Sequence, residues 1–392
     1  MKKHFLYFFL FIFLTRISGY SQNQADSETH HIAIFVPLFL DSVFDANNNY
    51  RYEGNFPKFV SAGLEFYEGT QLALDTLQSQ NAHLDVHIYD THSKQNSVSQ
   101  ILQSGDFQNT ELIIGYVNAN ESRLLANVAL QKHIPFINVN LPNNSNITNN
   151  PDLILLNSTL KTHCEAIYRF LQKNYATSSI TYLYNKSSMG NDLKNYFTDV
   201  EKNTKSVSLH LKYVLLNEPV NQKQLLTYVD STRQNVFIAG SLNESFSKSL
   251  CAQLASLDKE YSMTIIGMPT WDNLDFTQPD YNGLEIYYTT PFYNNPNDTL
   301  VKYIQQYFKT KFYSRPSDLV FRGYETVYHF AKMLTQYGSD LSKNIGEKKY
   351  KVFNDLDIEP VLLSKQTPTP DYFENKKLYF IKKTDGNITA VY

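Results

Sequence analysis

Downstream of the apolar stretch Leu112 to Ile114 the chain reads Gly115-Tyr-Val-Asn118-Ala-Asn120-Glu121-Ser122. Asn118 and Glu121 stand three residues apart, the spacing with which side chains close the first turn of a helix. The backbone N–H groups around Asn120 and Ser122 can also receive a carboxylate, drawn by the positive end of the helix dipole. Capping and ligand binding both remain open for this segment. Asn138 and Asn140 follow the next apolar stretch and offer amides to their own loop or to the same crevice. Ser187, Ser188 and Met189, and later Ser241 and Asn243, follow two further apolar stretches. They offer donors and a soft apolar wall from an opposing side. Trp271, the lone tryptophan, precedes Asp272. An indole beside a carboxylate can recognise an ammonium group or the apolar face of a sugar, or it can pack a junction between lobes. This is the chemistry of polar recognition.

Reaction chemistry has no comparable foothold. His-Glu-x-x-His, Gly-x-x-x-x-Gly-Lys, Gly-x-Ser-x-Gly and Gly-x-Gly-x-x-Gly segments are all missing from the sequence. His30, His31, His163 and His329 have no metal-ligand companion at short spacing. We therefore expect no enzyme activity, no catalytic residue, no cofactor and no metal site. Cys164 and Cys251 are the only cysteines, too few for a four-thiolate site, and are either two buried thiols or one bridge.

The elements that must carry these residues alternate. His31 to Val36 is a compact apolar strand ended by Pro37. Phe66, Thr70, Ala73, Leu74 and Leu77 recur at helical spacing, and Leu84 to Tyr89 reads as a strand. Leu112 to Ile114, a helix over about 121 to 132 and Pro135 to Val139 continue the pattern. A second unit starts after Leu153 to Leu156, with Thr162 and Glu165 as a capping box. Strands Ile180 to Tyr184, Leu209 to Leu215, Val236 to Ala239 and Met263 to Ile266 follow, and Ser241 with Glu244 is read as another box. Strands separated by helices predict parallel sheets covered on both faces. Beyond Gly267 the chain is expected to return to the first unit. Asp385-Gly386 between two apolar runs marks a terminal antiparallel hairpin returning to the second.

Lys2 and Lys3, the apolar run Phe5 to Leu14 and Gly19-Tyr-Ser21 have the layout of a secretory signal peptide over residues 1–21. A periplasmic or other extracytoplasmic location is expected, without stable membrane insertion after processing. The formal charge of −3 becomes more negative on loss of Lys2, Lys3 and Arg16. Charges are interspersed rather than clustered, which excludes the basic stripe that nucleic-acid binding needs.

Four segments carry a resemblance: Ile32-Ala-Ile-Phe-Val-Pro37, Glu68-Gly-Thr-Gln-Leu-Ala-Leu74, Ile113-Ile-Gly115 with Asn118 to Ser122, and Phe321-Arg-Gly-Tyr-Glu-Thr-Val-Tyr328. Their order over nearly the whole mature chain resembles the type I periplasmic binding proteins, particularly the branched-chain and broader amino-acid receptor branch of ABC transport. The resemblance implies an α/β fold of two Rossmann-like parallel-sheet lobes, joined by three crossovers around a central cleft. The first lobe is expected over 31–156 plus about 268–355, the second over about 157–267 plus about 356–392. It implies capture of an amino acid or similar small polar ligand by lobe closure, with an ABC permease as partner. Asn118, Asn120 and Ser122 occupy the place of the family's carboxylate-binding hydroxyl residues, and Met189 the place of an aromatic wall. These departures, with the Tyr-rich polar insertion before Phe59, keep a second function open: an envelope protein that acts through protein contacts.

Overall fold

The computed structural model describes residues 28–53, 56–364 and 368–391. The signal-peptide segment lies outside the described residues. Two seven-stranded sheets organise the chain. The first takes β1 (His30–Val36), β2 (Leu84–Asp90), β3 (Leu112–Gly115), β4 (Phe136–Asn138) and β5 (Leu153–Leu155) in the parallel order 2-1-3-4-5. The second takes β6 (Ser179–Tyr184), β7 (Lys212–Leu215), β8 (Asn235–Ala239), β9 (Met263–Ile266) and β10 (Glu285–Thr290) in the parallel order 7-6-8-9-10. The two lobes thus repeat one topology, and each reverses direction between its first and third strands. That reversal opens a crevice at the carboxyl ends of the strands.

Four more strands distribute between the lobes. β11 (Ile358–Val361) and β12 (Tyr372–Asn375) extend the first sheet, β12 running parallel to β5. β13 (Tyr379–Thr384) and β14 (Asn387–Ala390) extend the second as the expected hairpin, turning at Asp385 and Gly386 with φ of 49° and 75°. These pairings correct the expected boundaries. β10 pairs with β9, so the chain stays with the second sheet until Thr290 rather than leaving it at Gly267. Residues 358–375 belong to the first sheet, where the sequence reading gave everything after about 356 to the second. Three segments therefore cross between lobes: Leu156 to Thr159, Pro291 to Asp298, and Lys376 to Leu378.

Strand parity builds the cores. Ile32, Ile34 and Val36 face α1 (Lys58–Ser79), while Ala33 and Phe35 face α2 (Ala119–Lys132). In the second lobe, Leu183, Phe237 and Ile265 point to one face, and Tyr182, Ile238 and Ile266 to the other. Cys251, on α5 (Glu244–Asp258), is buried on the first of these faces, and Cys164, on α3 (Leu160–Asn174), on the second. The sheet separates the two sulfurs, and both are free thiols.

Two glycines set one helix crossing. Gly69 on α1 and Gly323 on α7 (Asp318–Tyr337) let the helices touch backbone to backbone. A Cβ on Gly69 would stand 1.9 Å from the Val320 carbonyl oxygen, and one on Gly323 would stand 2.2 Å from that of Phe66. This contact fixes the face that α7 turns to the crossovers.

The helix starts also differ in part from expectation. Asn118 and Glu121 form the predicted capping box. Helix α3 is capped by Thr159, whose Oγ1 accepts from Thr162 N, and α5 by Asn243, whose Oδ1 accepts from Phe246 N. Ser241 instead accepts the Asn243 amide. Among its described residues the polar insertion forms a short helix Leu40–Val43 and a bridge between Phe44 and Tyr50, and Asp41 accepts from the Lys94 amide at 2.7 Å.

Candidate functional site

Between the lobes, beside the first and second crossovers, lies a cavity of about 400 Å³. Asp318, Leu319 and Arg322 approach it from α7, and Leu242, Pro269, Thr270 and Asp272 from the second lobe. Ser158 from the first crossover, Thr290 from the end of β10, and Pro291 and Phe292 from the second crossover also line it. A larger depression of about 1160 Å³ lies at Gln305 to Pro316, but a single lobe walls it and lobe closure cannot seal it. The interlobe cavity is therefore the better candidate.

Arg322 is its main cation. The guanidinium lies over the Phe292 ring, 3.8 Å from the centroid, and Nε is withdrawn from solvent without a hydrogen-bond partner. Burial lowers its pKa, an effect opposed by Tyr116, Asp318 and Asp272 nearby. None of these carboxylates lies within ion-pair distance of it among the described residues. Asp318 accepts instead from Asn294 Nδ2 at 2.9 Å.

Asp272 faces the cavity from the second lobe, on the single-turn helix Pro269–Asn273. Crowding by the protein raises its carboxyl pKa, while a hydrogen bond with Tyr288 opposes the rise. Lys383 anchors this turn from below. Its Nζ donates to the carbonyls of Trp271, Asp272 and Leu274, the last at 3.1 Å, and burial lowers its pKa.

His163 borders the cavity from α3. It is buried, lies 2.7 Å from Thr289 Oγ1 in a hydrogen bond, and is pushed down to about 3 by desolvation. It is a neutral wall rather than a charge.

The crossovers are tied by buried polar groups. Glu374 accepts from Thr159 N at 2.7 Å, Thr162 Oγ1 at 2.6 Å and Lys376 Nζ at 2.7 Å. Glu325 on α7 accepts from the Phe353 and Asn354 amides and from Asn354 Nδ2. Asn354 Oδ1 in turn accepts from Tyr293 N, on the second crossover. Desolvation pushes Glu325 up to about 7.

The other residues expected from sequence stand at the strand ends of their lobes, apart from this cavity. Asn118 Oδ1 is occupied by the amides of Asn120 and Glu121, and the Asn120 side chain pairs with Arg123. Ser122 and Asn138 are buried against each other, Nδ2 to Oγ at 2.9 Å. Asn140 brackets the Val117 backbone through both of its amide atoms. Ser187 caps α4 (Ser188–Asn203), and Met189 is 41% exposed beside it. Ser241 is buried and Asn243 is committed to the start of α5. Trp271 corrects the expectation most clearly. It is 0% exposed, donates from Nε1 to Ser247 Oγ at 2.9 Å and packs on Phe276 inside the second lobe. Of the expected residues Asp272 alone lines the cavity, and Arg322 was not among them. Its signal was present: a cation interrupting the apolar run Val320-Phe321 ahead of a glycine.

Among the described residues no group of three or more His, Cys, Asp or Glu is placed to hold a metal, and no helix is long and apolar enough to cross a membrane. The arrangement can bind and enclose, with groups of opposite charge on opposite lobes.

Comparison with known proteins agrees with this architecture. No curated protein matches the chain. A putative branched-chain amino acid ABC transporter protein from Rhodospirillum rubrum is 12% identical, with a TM-score of 0.67 over 93% of this chain and 100% of that one. An ABC transporter substrate-binding protein from Desulfitobacterium hafniense, in complex with Leu, is 15% identical, with a TM-score of 0.58 over 93% and 100%. A branched-chain amino acid transporter substrate-binding protein from Streptococcus pneumoniae, in complex with isoleucine, is 12% identical, with a TM-score of 0.51 over 93% and 99%. At these identities the likeness is one of fold: two α/β lobes of the type I arrangement. The family model described as periplasmic binding protein matches residues 58–348, most of the chain, and the chain belongs to that family.

Proposed function

We propose that this protein is an extracytoplasmic receptor that captures a small polar solute, an amino acid or a close analogue, by closing its lobes. The ligand leaves unchanged and passes to the permease of an ABC transporter. One observation carries the reading: a single cavity walled by both lobes and two crossovers, with Arg322 on one side and Asp272 on the other. A ligand that touches both lobes stabilises the closed population, which contact with one lobe alone does not. The cavity is at the small end of the range for ligand pockets and suits a solute rather than a polymer. Calorimetric and thermal-shift titration of ligand-stripped protein with amino acids, short peptides and sugars tests the proposal. Saturable binding supports it; a folded preparation that binds none of them overturns it.

A second reading has one observation in its favour. Leu40, Phe44, Tyr50 and Phe59 are all more than a third exposed, and the rings of Phe44, Tyr50 and Tyr52 on the insertion run in contact to Phe59 at the start of α1. Such a surface suits contact with another envelope protein. A partner captured from envelope extract by the wild type, and lost when Phe44 and Tyr50 become serine, favours that role.

A further inference from the structure

We infer that Arg322 is the carboxylate seat of the cleft, so that the ligand places its acid group at the crossover end, against α7. This rests on the reading of the protein as a solute receptor and names the chemistry its ligand must carry. The sequence pointed elsewhere, to the start of α2. There the backbone amides are taken: Asn118 Oδ1 accepts from those of Asn120 and Glu121 and the Asn118 carbonyl from that of Ser122, while Ser122 Oγ accepts from Asn138 Nδ2 and Asn140 holds the Val117 backbone. At Arg322 the opposite holds. Its Nε is shut off from water and meets no acceptor.

The ring of Phe292 meets the guanidinium on one side, and its buried Nε still lacks an acceptor. The guanidinium does not give up its proton at any ordinary pH, so its remaining desolvation is offset only by an acceptor brought to it. The contact with Phe292, 3.8 Å from guanidinium carbon to ring centroid, holds the group over the ring, and a guanidinium so held can meet a planar carboxylate through two parallel hydrogen bonds. Asp272 and Asp318 also line the cavity, and neither neutralises Arg322 by direct pairing. They set the polarity of the remaining space, which accepts a cationic or hydrogen-donating group. The occupant is therefore a small carboxylic acid whose other end carries an amine or hydroxyl.

Two matched probe pairs test the seat: L-leucine against L-leucinamide, and 4-aminobutyrate against 4-aminobutanamide, each titrated into ligand-stripped mature protein by calorimetry. Arg322→Met and Arg322→Lys are compared with the wild type. A carboxylate probe is expected to bind the wild type, with its amide weaker by about thirty-fold, the order set by loss of charge-assisted hydrogen bonds. Arg322→Met is expected to abolish the difference within the pair, and Arg322→Lys to restore part of it. Arg322→Met is also expected to leave the melting temperature of the empty protein unchanged or raised, since it removes an unpaired charge; a merely structural arginine would lower it. Should that variant fail to fold, the acid and amide pairs on the wild type still decide. Amides that bind as tightly as acids, or an Arg322→Met protein that keeps wild-type affinity, remove the seat while leaving the receptor. Failure of every probe on folded wild-type protein counts against both.

Discussion

Ser158 Oγ donates to the carbonyl oxygen of Asn375 at 2.6 Å, joining the first crossover to the end of β12, from which the third departs. Asn375 continues the tie. Its Nδ2 reaches the Leu156 carbonyl, and its Oδ1 accepts from the Asp357 and Lys377 amides at 3.0 and 3.1 Å. Replacement of Asn375 by alanine strands two backbone amides and a carbonyl, and is expected to destabilise by about 2 to 3 kcal/mol. Ser158→Ala removes one donor and is expected to cost about 1 kcal/mol. Urea unfolding of the two variants checks the ranking.

Glu325 and His163 give stability opposing responses to pH. Burial raises Glu325 from 4.5 to about 7, so its contribution is complete below about 4.5 and is lost as pH rises through about 7. Burial lowers His163 from 6.5 to about 3, so its contribution is complete above 6.5 and is lost as pH falls towards about 3. Glu325→Gln is expected to gain on the wild type, on the order of 3 kcal/mol, between about pH 5 and about pH 8. His163→Gln is expected to gain in the opposite direction, as pH falls below about 6. Unfolding midpoints across that range, with each variant compared with the wild type, separate the two.

The crossing of α1 and α7 makes a third expectation. Alanine at Gly323 drives a Cβ into the Phe66 carbonyl, a backbone atom that cannot swing aside. The helices must part, at about 2 to 3 kcal/mol, and Arg322, the preceding residue, moves with α7. Gly323→Ala is thus expected to lower both the melting temperature and affinity for a carboxylate probe. Gly105→Ala, whose Cβ meets nothing within 4 Å, is the neutral control.

Both cysteines are buried free thiols on opposite faces of the second sheet, and burial raises the pKa of each. They are expected to be silent to a thiol reagent in the folded protein and to titrate as two thiols after denaturation. A count of zero after denaturation under nonreducing conditions, restored by a reductant, would mean a bridge and a different second lobe.

How much of this was legible in the sequence depends on what each residue faces. Ile32 to Val36 and Leu112 to Ile114 announce themselves because a parallel strand buried on both faces has no polar position to break its apolar run. β11 and β12 did not. Pro360 interrupts the first, and Glu374 and Asn375 give the second a polar reading, although both are buried and fully engaged at the crossovers. Pro360 is tolerated because β11 is an edge strand.

The site was harder to read than the fold. Trp271 and Asp272 are neighbours in sequence, yet the turn sends the indole into the lobe and the carboxylate into the cleft. Spacing alone does not say which way a short turn faces. Arg322 was passed over because an arginine on a helix usually extends its head to solvent. Here Phe292, brought from the second crossover, lies where that solvent would be.

The interleaving of the chain also bears on the order in which the protein is made. β12 lies beside β5 although the residues they pair, Ile154 with Phe373 and Leu155 with Glu374, stand 219 apart in the chain, so that register forms only once synthesis is almost over. The first sheet therefore cannot be completed on a nascent chain, because its penultimate strand emerges after the whole of the second lobe's parallel strands. A chain held open until its last residues arrive is in the state that passage through a membrane pore requires.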